Sequence, residues 1–199
     1  KSVHSIVVDN MIFTNGALNV LLYSSNFGSL TLTNMKFFNF TISKLLDIGV
    51  NPQIGQNLQL SNLRFESGQF KSGKVFNFAG SLSTVSQLQF LNNNYIGSVL
   101  FSGDTSIEFS NLIFANETVY SDAAYFQFQT SDRTPSRINI SACIFDNLTI
   151  YSSPIKIQNF NARLTNNIFR NLMLDRSLVS LTASNPYQVP GFEVSANQF

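Results

Sequence analysis

The sequence predicts an all-β fold, a parallel β-helix solenoid with about 24 residues per coil and roughly eight coils. Three observations predict it. First, an eight-residue sentence, written out at Leu58-Gln59-Leu60-Ser61-Asn62-Leu63-Arg64-Phe65, recurs as apolar, any, apolar, Ser/Thr, Asn, apolar, any, Phe. Second, its copies end at Phe13, Phe37, Phe65, Phe90, Phe114, Phe145, Phe169 and Phe199, at intervals of 24, 28, 25, 24, 31, 24 and 30 residues. A basic period lengthened by insertions describes a solenoid. Third, the apolar residues alternate with period two, which belongs to strands.

Each coil opens on a strand carrying pairs such as Ile6/Val8, Leu30/Leu32, Leu58/Leu60, Ile107/Phe109, Ile138/Ile140 and Phe192/Val194. The step from five to two residues before the Phe breaks the alternation and predicts a corner. Asn stands at that corner as Asn10, Asn34, Asn62, Asn111 and Asn166, and Asn tolerates the left-handed backbone that a tight bend needs. A second strand ends around the Phe, and another Asn follows two residues later, at Asn15, Asn39, Asn92, Asn116, Asn147 and Asn171. A third apolar strand comes next: Val20-Tyr23, Leu45-Ile48, Val75-Phe78, Val99-Phe101, Tyr125-Phe128, Ile155-Ile157 and Leu178-Leu181. Three strands and three corners make one coil. Stacking at about 4.8 Å would pile Phe on Phe inside and Asn on Asn at the bends.

A leucine-rich repeat has a similar period, but it spaces two residues between its second Leu and the Asn and returns without a strand. Here one residue intervenes, and Val75-Phe76-Asn77-Phe78 reads as strand. The repeat resembles the right-handed parallel β-helix of the pectin-lyase-like superfamily. Its Phe-x-Asn cadence is similar to the Phe-x-x-Asn repeats of polymorphic outer-membrane proteins and to β-helical surface proteins of ciliates and other protists. The resemblance covers the whole chain as architecture and carries no catalytic motif. Right-handedness is implied by it alone.

Residues 1–199 therefore read as one β-helix segment, expected to belong to a longer solenoid because neither end shows a cap. Insertions at Gly49-Asn57, Gln129-Arg137 and Ala183-Gly191 share one address, between the last strand of a coil and the first of the next. They would project from one edge, as binding loops of repeat proteins do.

Only 12% of residues are charged and the net charge is +1, which supplies no basic footprint for nucleic acid. No apolar run is long enough to span a membrane as a helix. The single cysteine, Cys143, fills an apolar slot of the repeat and is expected to be a buried thiol.

Stacking allows chemistry to be sought column by column. The column six residues before each Phe is Val7, Thr31, Gln59, Thr84, Glu108, Asn139, Arg163 and Glu193. It should place Arg163 beside Glu193 as a surface ion pair and lacks the paired carboxylates of glycoside chemistry. The only His, His4, has no partner in its coil, and no Cys/His cluster or phosphate-binding Gly loop occurs. No catalytic residue, cofactor site or metal site is expected.

The residue before each Phe should face outward, and three consecutive coils place Ile113, Ile144 and Ile168 there. That strip is the interface candidate, for a protein partner or for self-association. Four Asn-x-Ser/Thr acceptors occur at Asn39, Asn116, Asn139 and Asn147. Asn139, between inward Ile138 and Ile140, is expected to face solvent and is the best glycan candidate; the other three sit on the recurring Asn position, where an inward or bend ladder would bar glycans. The functional expectation is a structural or interaction segment of an extracellular surface or filament assembly. The alternative is a carbohydrate-binding or carbohydrate-processing β-helix whose working residues lie outside this segment.

Overall fold

In a computed structural model the chain winds as a parallel β-solenoid without helices among the described residues. These are residues 3–24, 27–48, 57–78, 83–104, 106–120, 122–129, 137–182 and 191–199, with side chains described for all but 3–4, 22–24, 27, 46–48, 57 and 83. Nearly all of the three insertions, and the side chain of His4, lie outside them.

The first face is an eight-stranded parallel sheet built from Val3–Asp9, Phe27–Thr33, Asn57–Ser61, Ser83–Ser86, Ile107–Ser110, Arg137–Ser141, Asn161–Thr165 and Phe192–Ser195. Strands pair with their copies in the neighbouring coils, in the register of the repeat: Leu30 opposite Leu58, Ile107 opposite Ile138, Leu164 opposite Val194. The last of these strands opens a coil that is only begun, so complete turns number slightly fewer than eight. The remaining strands form a second, bent sheet of 15.

Both Asn corners are left-handed. The first corner has φ between 52 and 58° at Asn10, Asn34, Asn62, Gln87, Asn111, Ala142, Asn166 and Ala196. The second has φ between 51 and 57° at Asn15, Asn39, Ser67, Asn92, Asn116, Asn147 and Asn171. One left-handed residue turns the chain and lets the next side chain point inward again, which is why the alternation slips by one at each corner. Neighbouring corner amides are tied along the axis. Asn62 donates to Asn34 Oδ1 at 2.6 Å, Asn147 to Asn116 Oδ1 at 2.7 Å, and Asn39 to Asn15 Oδ1 at 3.1 Å. Ala142 holds the same backbone without an amide to reward it. Replacing Ala142 with Asn is expected to raise stability by about 1 kcal/mol, measured as a shifted denaturation midpoint.

The coil has one more segment than the three expected. After the second corner a two-residue ladder runs through Ala17-Leu18, Thr41-Ile42, Gln69-Phe70, Asn94-Tyr95, Thr118-Val119, Thr149-Ile150 and Met173-Leu174. It adds inward positions three and five residues after the Phe. In coils three and four it continues into the return strand through a bend with φ 40° at Ser72 and 95° at Gly73, and φ 58° at Gly97.

The lumen is filled by ring stacks. Phe37, Phe65, Phe90, Phe114, Phe145 and Phe169 stack with centroids 4.7–5.0 Å apart and planes within 9°. Identical side chains at the sheet repeat meet in this offset-parallel geometry, worth about 0.5–1.5 kcal/mol per pair beyond area burial. A second stack, Phe76, Phe101 and Phe126, lines the return face at 5.2 and 5.4 Å. Volume is balanced across coils: Phe40 takes the space that a Cβ on Gly68 would need. Cys143 is fully buried among these residues, and burial pushes its thiol up to about 12, so it is an inert core residue.

Candidate functional site

The outward column of the first face is arranged as the repeat dictates. Asn139 lies in register between Glu108 and Arg163, and Arg163 lies opposite Glu193. Arg163 Nε is 2.9 Å from Glu193 Oε2, and this contact, with a hydrogen bond from Ser195, holds the exposed Glu193 carboxyl below its usual range. These residues, with Arg137 and the half-exposed ring of Phe192, line an open groove of about 490 Å³. Neither Glu108 nor Arg137 forms an ion pair among the described residues. The groove thus offers a free carboxylate, a free guanidinium, an amide and a ring edge. It holds no carboxylate pair: Glu108 and Glu193 are separated by the coils of Asn139 and Arg163. Among the described residues no group of three or more His, Cys, Asp or Glu is placed to hold a metal ion. No helix there is long and apolar enough to cross a membrane.

Asn139 faces outward as expected, but it is half-buried, and its Oδ1 is covered and without a partner. The flanking Glu108 and Arg163 columns and the groove wall account for this. Asn39, Asn116 and Asn147 are the exposed ones, because a left-handed bend turns its side chain away from the lumen. Accessibility of the four acceptors therefore runs opposite to the sequence expectation.

Ile113, Ile144 and Ile168 pair in register on the outer side of the second face, each half-buried by its neighbours in the ladder. Leu91 and Ala115 extend the apolar surface beside them, and the Arg170–Asp146 ion pair, 2.8 Å, borders it. Arg170 and Asn171 hold the Asp146 carboxyl below its ordinary range.

Two features escaped the sequence reading. At the bend six residues after the Phe, Ile96, Tyr120 and Tyr151 form a row, 42, 44 and 45% exposed, with the two tyrosine rings 6.1 Å apart and 26° from parallel. Aligning that column, Asn19, Ser43, Lys71, Ile96, Tyr120, Tyr151 and Asp175, would have shown three apolar residues together. The second feature is inside. Column three after the Phe reads Gly16, Phe40, Gly68, Asn93, Glu117, Leu148 and Leu172, and it points into the lumen. Asn93 is 1% exposed; its Oδ1 accepts from the Gly68 N–H at 2.8 Å and its Nδ2 donates to the Phe65 carbonyl at 3.0 Å. Asn167 plays the same part near the other end, accepting from the Cys143 N–H and donating to the Ile140 carbonyl at 2.9 Å each. Buried amides of this kind cap backbone groups that the corners leave without a ladder partner.

Compared with known proteins, the chain matches no family model, and no significantly similar curated protein was found.

Proposed function

We propose that the chain is a structural and interaction protein, a β-helical segment of an extracellular surface or filament assembly without catalysis of its own. On this reading it is a right-handed solenoid of the pectin-lyase-like kind, akin in cadence to polymorphic outer-membrane and protist surface repeats. The observation that carries the reading is the in-register strip of Ile113, Ile144 and Ile168 on an outer face. Beside it lie the apolar Leu91 and Ala115 and the mutually neutralised Arg170–Asp146 pair, which leave little net charge to repel a flat neighbour. A partner protein or a further copy of the chain would bury this strip. Glycans would sit on the exposed bend positions Asn39, Asn116 and Asn147, with Asn139 the shielded acceptor.

Two measurements test the reading. Ile144→Lys places a charge at the centre of the strip and should weaken association by about tenfold or more in sedimentation, with an unchanged β spectrum. Peptide mapping of the protein from its native source should find hexose-bearing peptides at the bend acceptors. Unaltered association together with fully covered, unmodified acceptors would overturn the proposal.

A second reading, saccharide binding, is favoured by the first-face groove. There Arg137 and Glu108 are free to bond hydroxyls, and Phe192 offers an apolar edge. Binding to an oligosaccharide array that disappears in Arg137→Ala would move the conclusion there.

A further inference from the structure

The lumen should contain no charge, yet Glu117 lies in it, 1% exposed. Its position is fixed by the fold. Thr118 pairs with Asn94 below and Thr149 above, so Glu117 stacks directly between Asn93 and Leu148. Oε1 accepts two hydrogen bonds, from the Asn93 backbone N–H and from Asn93 Nδ2, each 3.0 Å. Oε2 has no partner. Two phenols are buried nearby. Tyr95 stacks on Phe70 at 4.8 Å and meets Tyr125 edge-on at 5.1 Å, and Tyr125 in turn packs on Phe114 at 4.4 Å. The Tyr95 hydroxyl lies within hydrogen-bonding reach of the Glu117 carboxyl, and the Tyr125 hydroxyl is buried with no partner among the described residues.

Buried polar oxygens gathered this deep in the lumen are costly singly and explicable together. Among the described residues no cation pairs with this carboxyl, and the two hydrogen bonds to its Oε1 both come from the neutral Asn93. The neutral acid removes that uncompensated buried charge and adds an O–H donor that a buried phenol oxygen can accept. We infer that Glu117 is a proton-controlled latch: as the neutral acid it closes a hydrogen-bonded cluster with Tyr95 and Tyr125 across adjoining coils, and its ionisation loosens this section of the solenoid.

The electrostatics agree. Desolvation pushes the Glu117 carboxyl up to about 8, with the Asn93 and Tyr95 contacts opposing it only partly. The titratable group shown to act on it is Tyr95, and both Tyr95 and Tyr125 are themselves raised, chiefly by burial and next by Glu117. A folded-state value above the unfolded one means the folded chain binds the proton more tightly. The resulting stabilisation is complete below about 4.5, the ordinary carboxyl value, and is lost progressively as pH rises to about 8. Glu117 also lies three residues before Tyr120, and its carbonyl accepts from the Thr149 N–H while Val119 accepts from Tyr151. Loosening the latch would disturb the exposed Tyr120–Tyr151 row, which couples the core to the surface.

The test uses infrared and tyrosine spectroscopy on the whole chain, which has no Trp to obscure its six Tyr. At pH 6 the wild type should show the carbonyl stretch of a protonated carboxylic acid, shifted by isotope labelling of glutamate and missing in Glu117→Gln. Its tyrosine near-ultraviolet dichroism should change with a midpoint near 8, while Glu117→Gln, which keeps an acceptor and a donor, should show no such step. The folding equilibrium constant of the wild type should fall relative to that variant by up to about tenfold per pH unit between those limits. If Glu117→Gln does not fold, the labelled wild-type band alone decides. No protonated-acid band at pH 6, or the same step near 8 in Glu117→Gln, overturns the inference.

Discussion

Phe65→Ala is expected to destabilise the protein by about 3–5 kcal/mol, the range for truncating a buried aromatic residue. Phe65 is completely buried and stands in the middle of the main stack, 4.7 Å from Phe37 and 5.0 Å from Phe90. It also meets Phe40, Phe70 and Phe76 at 5.8–6.0 Å. Its removal therefore opens a void touched by three coils. In a solenoid each coil is held by its two neighbours, so the defect weakens two interfaces at once. Equilibrium denaturation should show a large fall in midpoint and a broadened transition as the halves uncouple. An outward residue of the first face is the control: Thr84→Ala, on an exposed position, should shift stability by less than about 0.5 kcal/mol. A loss at Phe65 no greater than the control would mean that neither the burial of this ring nor its stacking contributes measurably to stability.

The second large effect is at Asn93. Asn93→Leu keeps the number and branching of side-chain heavy atoms and is apolar, so a shape argument alone would predict a moderate change. Hydrogen bonding predicts otherwise. The substitution leaves the Gly68 N–H and the Phe65 carbonyl without partners and removes the side-chain donor to Glu117. Each buried group left unsatisfied costs about 1–3 kcal/mol, which gives an expected loss of about 2–5 kcal/mol. Thermal or chemical unfolding measures it, and hydrogen exchange of the Gly68 amide should accelerate selectively. A change below about 1 kcal/mol would show that water or backbone adjustment replaces the amide.

These two positions also show what could be read in the sequence. Phe65 was legible because every coil repeats it and the alternation assigns it inward. The Asn corners were legible for the same reason: a break in period at a residue type that tolerates positive φ has few other meanings. Asn93, Glu117 and the short ladder after the second corner were not seen, although their signal was present. The step from the Phe to an inward residue three positions later repeats the slip already recognised at the first corner. Apolar residues five after the Phe, Leu18, Ile42, Phe70, Tyr95, Val119, Ile150 and Leu174, would have confirmed it.

Exposure was the less legible property. Alternation says which side of a strand a residue occupies, and it put Asn139 correctly on the outside. It does not say how high the neighbouring columns rise, and flanking Glu108 and Arg163 are what leave Asn139 half-covered.

By itself the sequence determined the all-β class, the coil period, the axial register, the main Phe stack and the ladders at the bends. It could do so because in a solenoid each position is restated in every coil, and a local pattern becomes a column. Only the tertiary structure decided that the lumen encloses an acid and two phenols, and that a groove forms along the first face. Those features join residues of different columns across the coil. Their contacts depend on how the faces close around the lumen, and a period along the chain does not specify that closure.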